Sequence, residues 1–260
     1  MLKLLRAQLI KVFLRNDVKS VLIIFAVLPI NISFLISIES GIIQIGDSVF
    51  TGMGYASVVV GLLNSLLLIN VTMALIATSL VSKEIDCGLD SMYITKVKKR
   101  ENIVVSKLVI LDTVALILFA VLIFSAISGW FIFLKDSSFG KPYIFSSDRD
   151  ENILLIYTII SSFLEIVVMN KIYVLFSMLF KYGKAVVFSF LTIVVFKLLT
   201  NIEQIRDWFP CYIGSGLSLQ GYSGEELIFR GLWGIVLLIF YAAAVFFINY
   251  CIYKKMDLSR

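Results

Sequence analysis

The sequence contains no histidine and only three cysteines, and Asp, Glu, Lys and Arg together make up 16% of its 260 residues. The absence of histidine excludes zinc sites with His ligands, catalytic triads with a His base and imidazole proton relays. Cys87, Cys211 and Cys251 form no C-x-x-C pair. Only Cys211 is expected outside the cell, so no external disulfide is predicted. The chain also lacks a G-x-x-x-x-G-K-[ST] loop, and it therefore has no P-loop nucleotide site of its own.

Apolar residues dominate the composition, at 60% of the chain. A soluble domain of this length could not hide so much apolar surface, because its outside must be largely polar. Tracts of about 20 apolar residues recur, and this is the length that crosses roughly 30 Å of hydrocarbon as a helix. The tracts are continuous, whereas an outer-membrane barrel would alternate apolar and polar residues. The predicted fold class is an all-α, polytopic membrane protein.

The apolar tracts predict a single transmembrane domain over residues 1–260 with six spans. The predicted spans are residues 18–38, 54–81, 109–134, 152–180, 185–202 and 227–252. Basic residues are distributed unequally between the two sides, sixteen against five. Since Lys and Arg accumulate on the cytoplasmic side, both termini and the segment 82–108 are predicted to be cytoplasmic.

The first 17 residues combine basic side chains with an apolar stripe. The stripe consists of Leu2, Leu5, Leu9, Val12 and Phe13. This spacing predicts an amphipathic helix that lies in the headgroup layer before the first span. A signal peptide is the competing interpretation, but its apolar region would be shorter than 18–38 and a small-residue cleavage site would follow.

The second predicted span carries small and weakly polar residues at helical spacing. They are Gly54, Ser57, Gly61, Asn64, Ser65 and Thr72. Such residues let helices approach closely and hydrogen-bond across the contact. Helix packing within one subunit and a face that lines a translocation path or a dimer seam both remain open.

Polar residues within the later spans are candidates for a functional interior. They are Glu165, Asn170, Lys171 and Lys197. Because a charge in lipid is costly, these side chains are expected to face the bundle interior. Glu165 and Lys171 are six residues apart and do not share a helix face, so a direct pair within the helix is not expected. We hypothesise an interhelical contact of Glu165 with Lys197, or with Lys171 through a neighbouring residue. Asp112 is expected at the cytoplasmic edge of the third span.

The segment 203–226 is too apolar for a fully solvated loop and is broken by Pro210, Gly214, Gly216 and Gly221. A short hairpin that dips into the outer leaflet and an amphipathic external loop both fit this pattern.

The segment 82–108 is the most charged part of the chain. After Gly88, the residues Leu89, Met92, Tyr93 and Val97 share one face of a short helix. A basic cluster at residues 96–100 would suit an anionic membrane surface, but the acidic residues before it would be repelled there. A cytoplasmic protein partner explains both halves.

The order Glu84, Gly88, Leu89, basic cluster, Lys107 between the second and third spans resembles the permeases of ABC-2 type ABC transporters. The resemblance extends over the full chain, from the basic N-terminal segment to the ending KKMDL. It implies that 82–108 holds a coupling helix. The residues that it implies in contact with an ATPase are Glu84, Asp86, Gly88, Leu89, Met92, Tyr93 and Val97.

The resemblance also implies the remaining functional expectations. The chain would be a non-enzymatic permease subunit in a bacterial plasma membrane, paired with a second permease subunit and with an ATPase that binds ATP and Mg. The cargo would be an amphipathic peptide or a lipid-like molecule. Two alternatives stay open, a non-transporting immunity or scaffold protein and a membrane-embedded enzyme using Glu165, Lys171 and Lys197.

Overall fold

The computed structural model describes residues 2–38, 49–88 and 101–255, with side chains from residue 5 onward. The helices are α1 (Leu2–Leu14), α2 (Asn16–Ser37), α3 (Gly52–Ser65), α4 (Leu68–Asp86), α5 (Glu101–Gly129), α6 (Arg149–Leu179), α7 (Tyr182–Leu199), α8 (Pro210–Gly214) and α9 (Gly224–Lys255). A π-helical turn, Trp130–Leu134, continues α5. Within the described ranges the only β-pairing is an isolated bridge between Phe50 and Gly140.

Six of the described helices are long and apolar enough to cross a membrane: α2, α4, α5 with its π-turn, α6, α7 and α9. The predicted all-α fold with six such helices is confirmed. The long helix α6 lies at the centre of the bundle and packs against α3, α4, α5, α7, α8 and α9. Its inward face is fully buried and includes Met169, Tyr173 and Val174. In contrast, α7 and α9 leave most of their apolar surface uncovered.

The second predicted span is not one continuous helix. The helix α3 begins behind Thr51, whose hydroxyl accepts a hydrogen bond from the Gly54 N–H at 3.1 Å. It ends at Ser65, and α4 starts at Leu68 after Leu67 adopts a left-handed conformation with φ of 61°. The prediction of an unbroken span over 54–81 is therefore wrong, and the chain changes direction in the middle of that tract.

The left-handed backbone at Leu67 gives a test of this break. A side chain in that region costs about 1 kcal/mol or more, and glycine does not carry this cost. We expect Leu67→Gly to be more stable than Leu67→Ala by about 1 kcal/mol, although both lose the same packing against the core. Thermal unfolding of the two variants in detergent would measure the difference. In a continuous helix the order would reverse, because alanine is then favoured.

The N-terminal helix α1 turns its apolar stripe towards the bundle. Val12 is buried, and Leu9 and Phe13 pack against the core. Its strongest contacts are with α5 and α2. This packing uses the residues that were expected to face lipid, while the position of α1 in the headgroup layer stays a prediction.

The third long helix begins earlier than predicted, at Glu101 rather than at residue 109. Asp112 consequently lies 11 residues inside α5, or about 16 Å along its axis. With its π-turn, α5 has 34 residues and a length of about 51 Å, which exceeds the roughly 30 Å of hydrocarbon. The helix can therefore start outside the hydrocarbon layer, and the position of Asp112 at the cytoplasmic edge stays a prediction. The Asp112 side chain is 32% exposed, and its carboxylate forms an ion pair with a residue of α6.

The segment between α7 and α9 folds as a compact hairpin around α8. A 3₁₀ turn, Arg206–Trp208, precedes α8 and another, Leu217–Leu219, follows it. All residues of α8 are buried, and they pack mainly against α6. This burial agrees with the expectation that the segment is not a fully solvated loop. A hairpin in the outer leaflet and an amphipathic external loop both stay predictions.

Candidate functional site

Glu165 lies at the centre of a buried polar cluster, and its side chain is fully inaccessible to solvent. The Asn64 amide donates a hydrogen bond to Glu165 Oε2 at 2.7 Å, and the Asn70 amide approaches Oε1 at 3.4 Å. The Asn70 amide also donates to Asn64 Oδ1 at 3.0 Å. The Tyr173 hydroxyl donates to Asn70 Oδ1 at 3.2 Å. We call Glu165, Asn64, Asn70 and Tyr173 the Glu165 cluster.

The helix break at Leu67 is what brings both asparagines to one carboxyl group. Asn64 and Asn70 are six residues apart, and in a continuous helix they would point in different directions. Asn70 was not predicted as a site residue. In one continuous helix over 54–81 it would not share a face with Asn64. The break therefore assembles the cluster from the end of α3 and the start of α4.

The short helix α8 packs against the Glu165 cluster, in addition to α3, α4 and α6, which supply its residues. A β-carbon placed on Gly214 would collide with the Glu165 side chain, so glycine is required there for close approach. The Ser162 hydroxyl donates to the Gly214 carbonyl at 2.6 Å and ties α8 to α6. Cys211 of α8 is buried in the same contact, with 1% of its surface exposed. The hairpin thus seals a carboxyl group inside the bundle.

Lys171 pairs with a different carboxylate from the one expected. Its Nζ lies 2.8 Å from Asp112 Oδ2 on α5, and its side chain is 7% exposed. As expected from their spacing of six residues, Glu165 and Lys171 point in different directions from α6 and form no direct ion pair. Asn249 on α9 donates to the Lys171 carbonyl at 2.8 Å, so this second cluster joins three helices.

The remaining two polar residues of the predicted interior, Asn170 and Lys197, show no side-chain hydrogen bond or ion pair among the described residues. Asn170 is fully buried, and its amide atoms have no hydrogen-bond partner among the described residues. Lys197 is half-buried in the last turn of α7. No ion pair joins it to Glu165 in the part of the chain that the structure describes. The hypothesised Glu165–Lys197 contact is therefore wrong as a direct ion pair.

At the far end of α4, Glu84 joins three helices. Lys11 Nζ from α1 lies 2.7 Å from Glu84 Oε1, and Lys107 Nζ from α5 lies 3.2 Å from Oε2. The side chains of Glu84 and Lys107 are 8% and 1% exposed. We call these three residues the Glu84 brace. In this geometry Glu84 is a buried structural partner, whereas the resemblance implied a surface contact with the ATPase.

Gly88 and Asp86 also have local structural roles. Gly88 has a φ of 70°, and its N–H donates to the Ile85 carbonyl at 2.9 Å, so it ends α4 in the left-handed conformation that glycine adopts most readily. Asp86 Oδ2 accepts from the Tyr182 N–H at 2.9 Å, which caps the start of α7. The E-x-x-x-G spacing thus combines a buried ion pair with a helix stop.

The other predicted contacts of the coupling segment, Leu89, Met92, Tyr93 and Val97, lie outside the described residues. The small-residue face of the second span is now divided by the helix break. Gly54 and Asn64 are buried, but Ser65 is exposed and Gly61 has nothing near the position of a β-carbon. The stripe is not one continuous packing seam.

The described residues define a bundle with six helices of membrane-spanning length and a sealed carboxyl group at a helix break. No protein-family profile, curated protein or solved structure matches this chain. Within the described ranges, no group of three or more Cys, Asp or Glu side chains is placed to hold a metal ion.

Proposed function

We propose that this chain is the transmembrane subunit of an ABC-type transporter and works with a separate ATPase that binds ATP and Mg. The observation that carries the proposal is the Glu84 brace. The segment 89–100 connects α4 to α5, and the brace ties those two helices to α1 at the base of that segment. A force applied to the segment by a partner would therefore move three helices together.

The helix α4 supplies a path from the brace to the Glu165 cluster. It contains 19 residues, which corresponds to a length of about 28 Å. Glu84 lies near one end, and Asn70 lies near the other, within hydrogen-bonding distance of the cluster. Tilting α4 at Glu84 would displace Asn70 relative to Glu165. Nucleotide binding to the partner would change the preferred tilt through its different affinity for the two arrangements.

The transport path is proposed to form with a second permease subunit, the same chain or a related one. The uncovered apolar faces of α7 and α9 provide surface for lipid and for such a subunit. An interior that is apolar apart from a few polar clusters suits an amphipathic peptide or a lipid-like cargo. In this proposal the protein lies in a bacterial plasma membrane with both termini cytoplasmic, in keeping with its basic residues.

Copurification tests the proposal. We expect the tagged chain, extracted from its native membrane in mild detergent, to bring down a P-loop ATPase in stoichiometric amount, as measured by mass spectrometry. The double variant Met92→Asp/Tyr93→Asp places charges on the apolar face predicted to dock, and it should lower the ATPase yield at least tenfold. Each desolvated anchor residue of an interface typically contributes 2 kcal/mol or more, which is about thirtyfold in affinity.

The matched control is Lys141→Gln/Arg149→Gln, whose side chains are exposed at the opposite end of the bundle. It should retain the ATPase. A chain that purifies alone, under conditions that preserve known transporter complexes, would contradict the proposal and favour an immunity or scaffold role. An unchanged ATPase yield from the Met92/Tyr93 variant, with an unchanged melting temperature, would refute the docking surface.

A further inference from the structure

A polar cavity of about 390 Å³ lies beside α8 at the end of the bundle opposite the Glu84 brace. Its walls come from the 3₁₀ turn before α8, from the loop after α8 and from the first turns of α9. The lining includes Arg206, Asp207, Tyr212, Tyr222 and Arg230. Two cations therefore line one cavity with a single carboxylate.

Both guanidinium groups are held in place by aromatic rings rather than by close carboxylates. Arg206 lies 5.1 Å from the centre of the Tyr212 ring, and Arg230 lies 4.1 Å from that of Tyr222. Their nearest carboxylate oxygens, on Asp207 and Glu226, are 3.9 and 3.8 Å away. A charge-assisted hydrogen bond is shorter, about 2.7–2.9 Å. Stacking on a ring uses none of the N–H donors of a guanidinium group, so both arginines can donate hydrogen bonds to an anion in the cavity.

An apolar cavity of about 300 Å³ lies on the other side of a smaller pocket that shares residues with both cavities. Phe196, Phe209 and Tyr241 are among the residues that line it. Trp208 lines the apolar cavity and also a pocket that contains Arg230. The surface therefore passes from two cations, across a tryptophan, into an apolar groove between α6, α7 and α9.

We propose that this surface binds a membrane lipid with an anionic headgroup. The headgroup phosphate would lie between Arg206 and Arg230, and an acyl chain would follow Trp208 into the apolar cavity. A lipid fits this position because the neighbouring outer face of α9 is covered by large exposed apolar residues, such as Phe240, which is 65% exposed. Tryptophan and arginine at the end of a span are typical of the headgroup level. The site does not depend on the proposed ATPase partner.

Quenching of tryptophan fluorescence by brominated lipids tests the site in the purified chain. Of its three tryptophans, Trp208 and Trp233 are 58% and 55% exposed beside the cavities, and Trp130 is 1% exposed in the core. In vesicles of phosphatidylcholine, added brominated phosphatidylglycerol should reach half-maximal quenching at a mole fraction about tenfold lower than added brominated phosphatidylcholine does. The double variant Arg206→Gln/Arg230→Gln should lose this preference. Trp208→Phe/Trp233→Phe leaves only the core Trp130 and should remove most of the quenching.

The control Lys141→Gln/Arg149→Gln changes the net charge equally at exposed positions outside the cavity, and it should keep the preference. Arg206→Lys/Arg230→Lys should keep part of it. Equal quenching of the unaltered chain by the two lipids would overturn the proposal. It would also fail if the Gln variant retained the preference, or if the control lost as much as the Gln variant, since net charge alone would then explain the effect.

Discussion

Gly214→Ala should lower the free energy of unfolding by about 3 kcal/mol. The added methyl group would occupy the space of the Glu165 side chain, which is fully buried and cannot turn towards solvent. To make room, Glu165 would have to move away from the Asn64 amide, with which it forms a 2.7 Å hydrogen bond. A buried polar network that is partly broken costs more than the steric overlap alone.

The measurement is unfolding in mixed micelles titrated with SDS, followed by far-UV circular dichroism. Gly61→Ala is the matched control, because a β-carbon at Gly61 would meet no atom within 4 Å. It should be neutral or stabilising by up to about 1 kcal/mol, since alanine is the better helix former. Equal stability of the two variants would show that α8 is not packed against Glu165 as described.

The helical architecture could be predicted from sequence because it depends on composition and length. A tract of about 20 apolar residues that must satisfy its backbone groups in lipid has few options other than a helix. The six long helices therefore follow from the apolar tracts alone. The ends of the helices were less predictable, since α5 extends to Glu101 through a stretch that is polar enough to be taken for a loop.

The helix break at Leu67 could not be predicted. The local sequence, Ser65-Leu66-Leu67-Leu68, contains neither glycine nor proline, the residues that usually mark a break. The left-handed residue is a leucine, which is unfavourable by itself, so tertiary contacts must compensate for it. Those contacts include the hydrogen bonds of Asn64 and Asn70 with Glu165, and they join residues 95 or more positions apart in sequence.

The polar residues of the interior were found from sequence, but their partners were not. A charged residue in an apolar tract is visible in the sequence, whereas its partner depends on how the helices are rotated. The sequence hypothesis linked Lys171 to Glu165 only through a neighbouring residue, and the structure pairs Lys171 with Asp112. Asp112 was placed at the cytoplasmic edge of the third span, and for that reason it was not considered as a partner of Lys171.

Glu84→Gln should destabilise the protein by about 3 kcal/mol, an effect comparable to that of Gly214→Ala. The substitution keeps the size of the side chain and removes the charge that Lys11 and Lys107 share. One of the two ammonium groups would then face the amide nitrogen of Gln, a donor facing a donor. Because the Lys107 side chain is 1% exposed, solvent cannot replace the lost carboxylate there.

Glu203→Gln, at an exposed acidic position, serves as the control and should change stability by less than about 0.5 kcal/mol. A double-mutant cycle with Lys107→Met isolates the pair. We expect the double variant to be more stable than Glu84→Gln alone, because a buried ion pair replaced on both sides no longer leaves a charge without its counterion. Additive effects would show that Glu84 and Lys107 act independently. The brace could then not transmit a movement of the 89–100 segment to α5, and the proposed coupling would have to run through α4 alone.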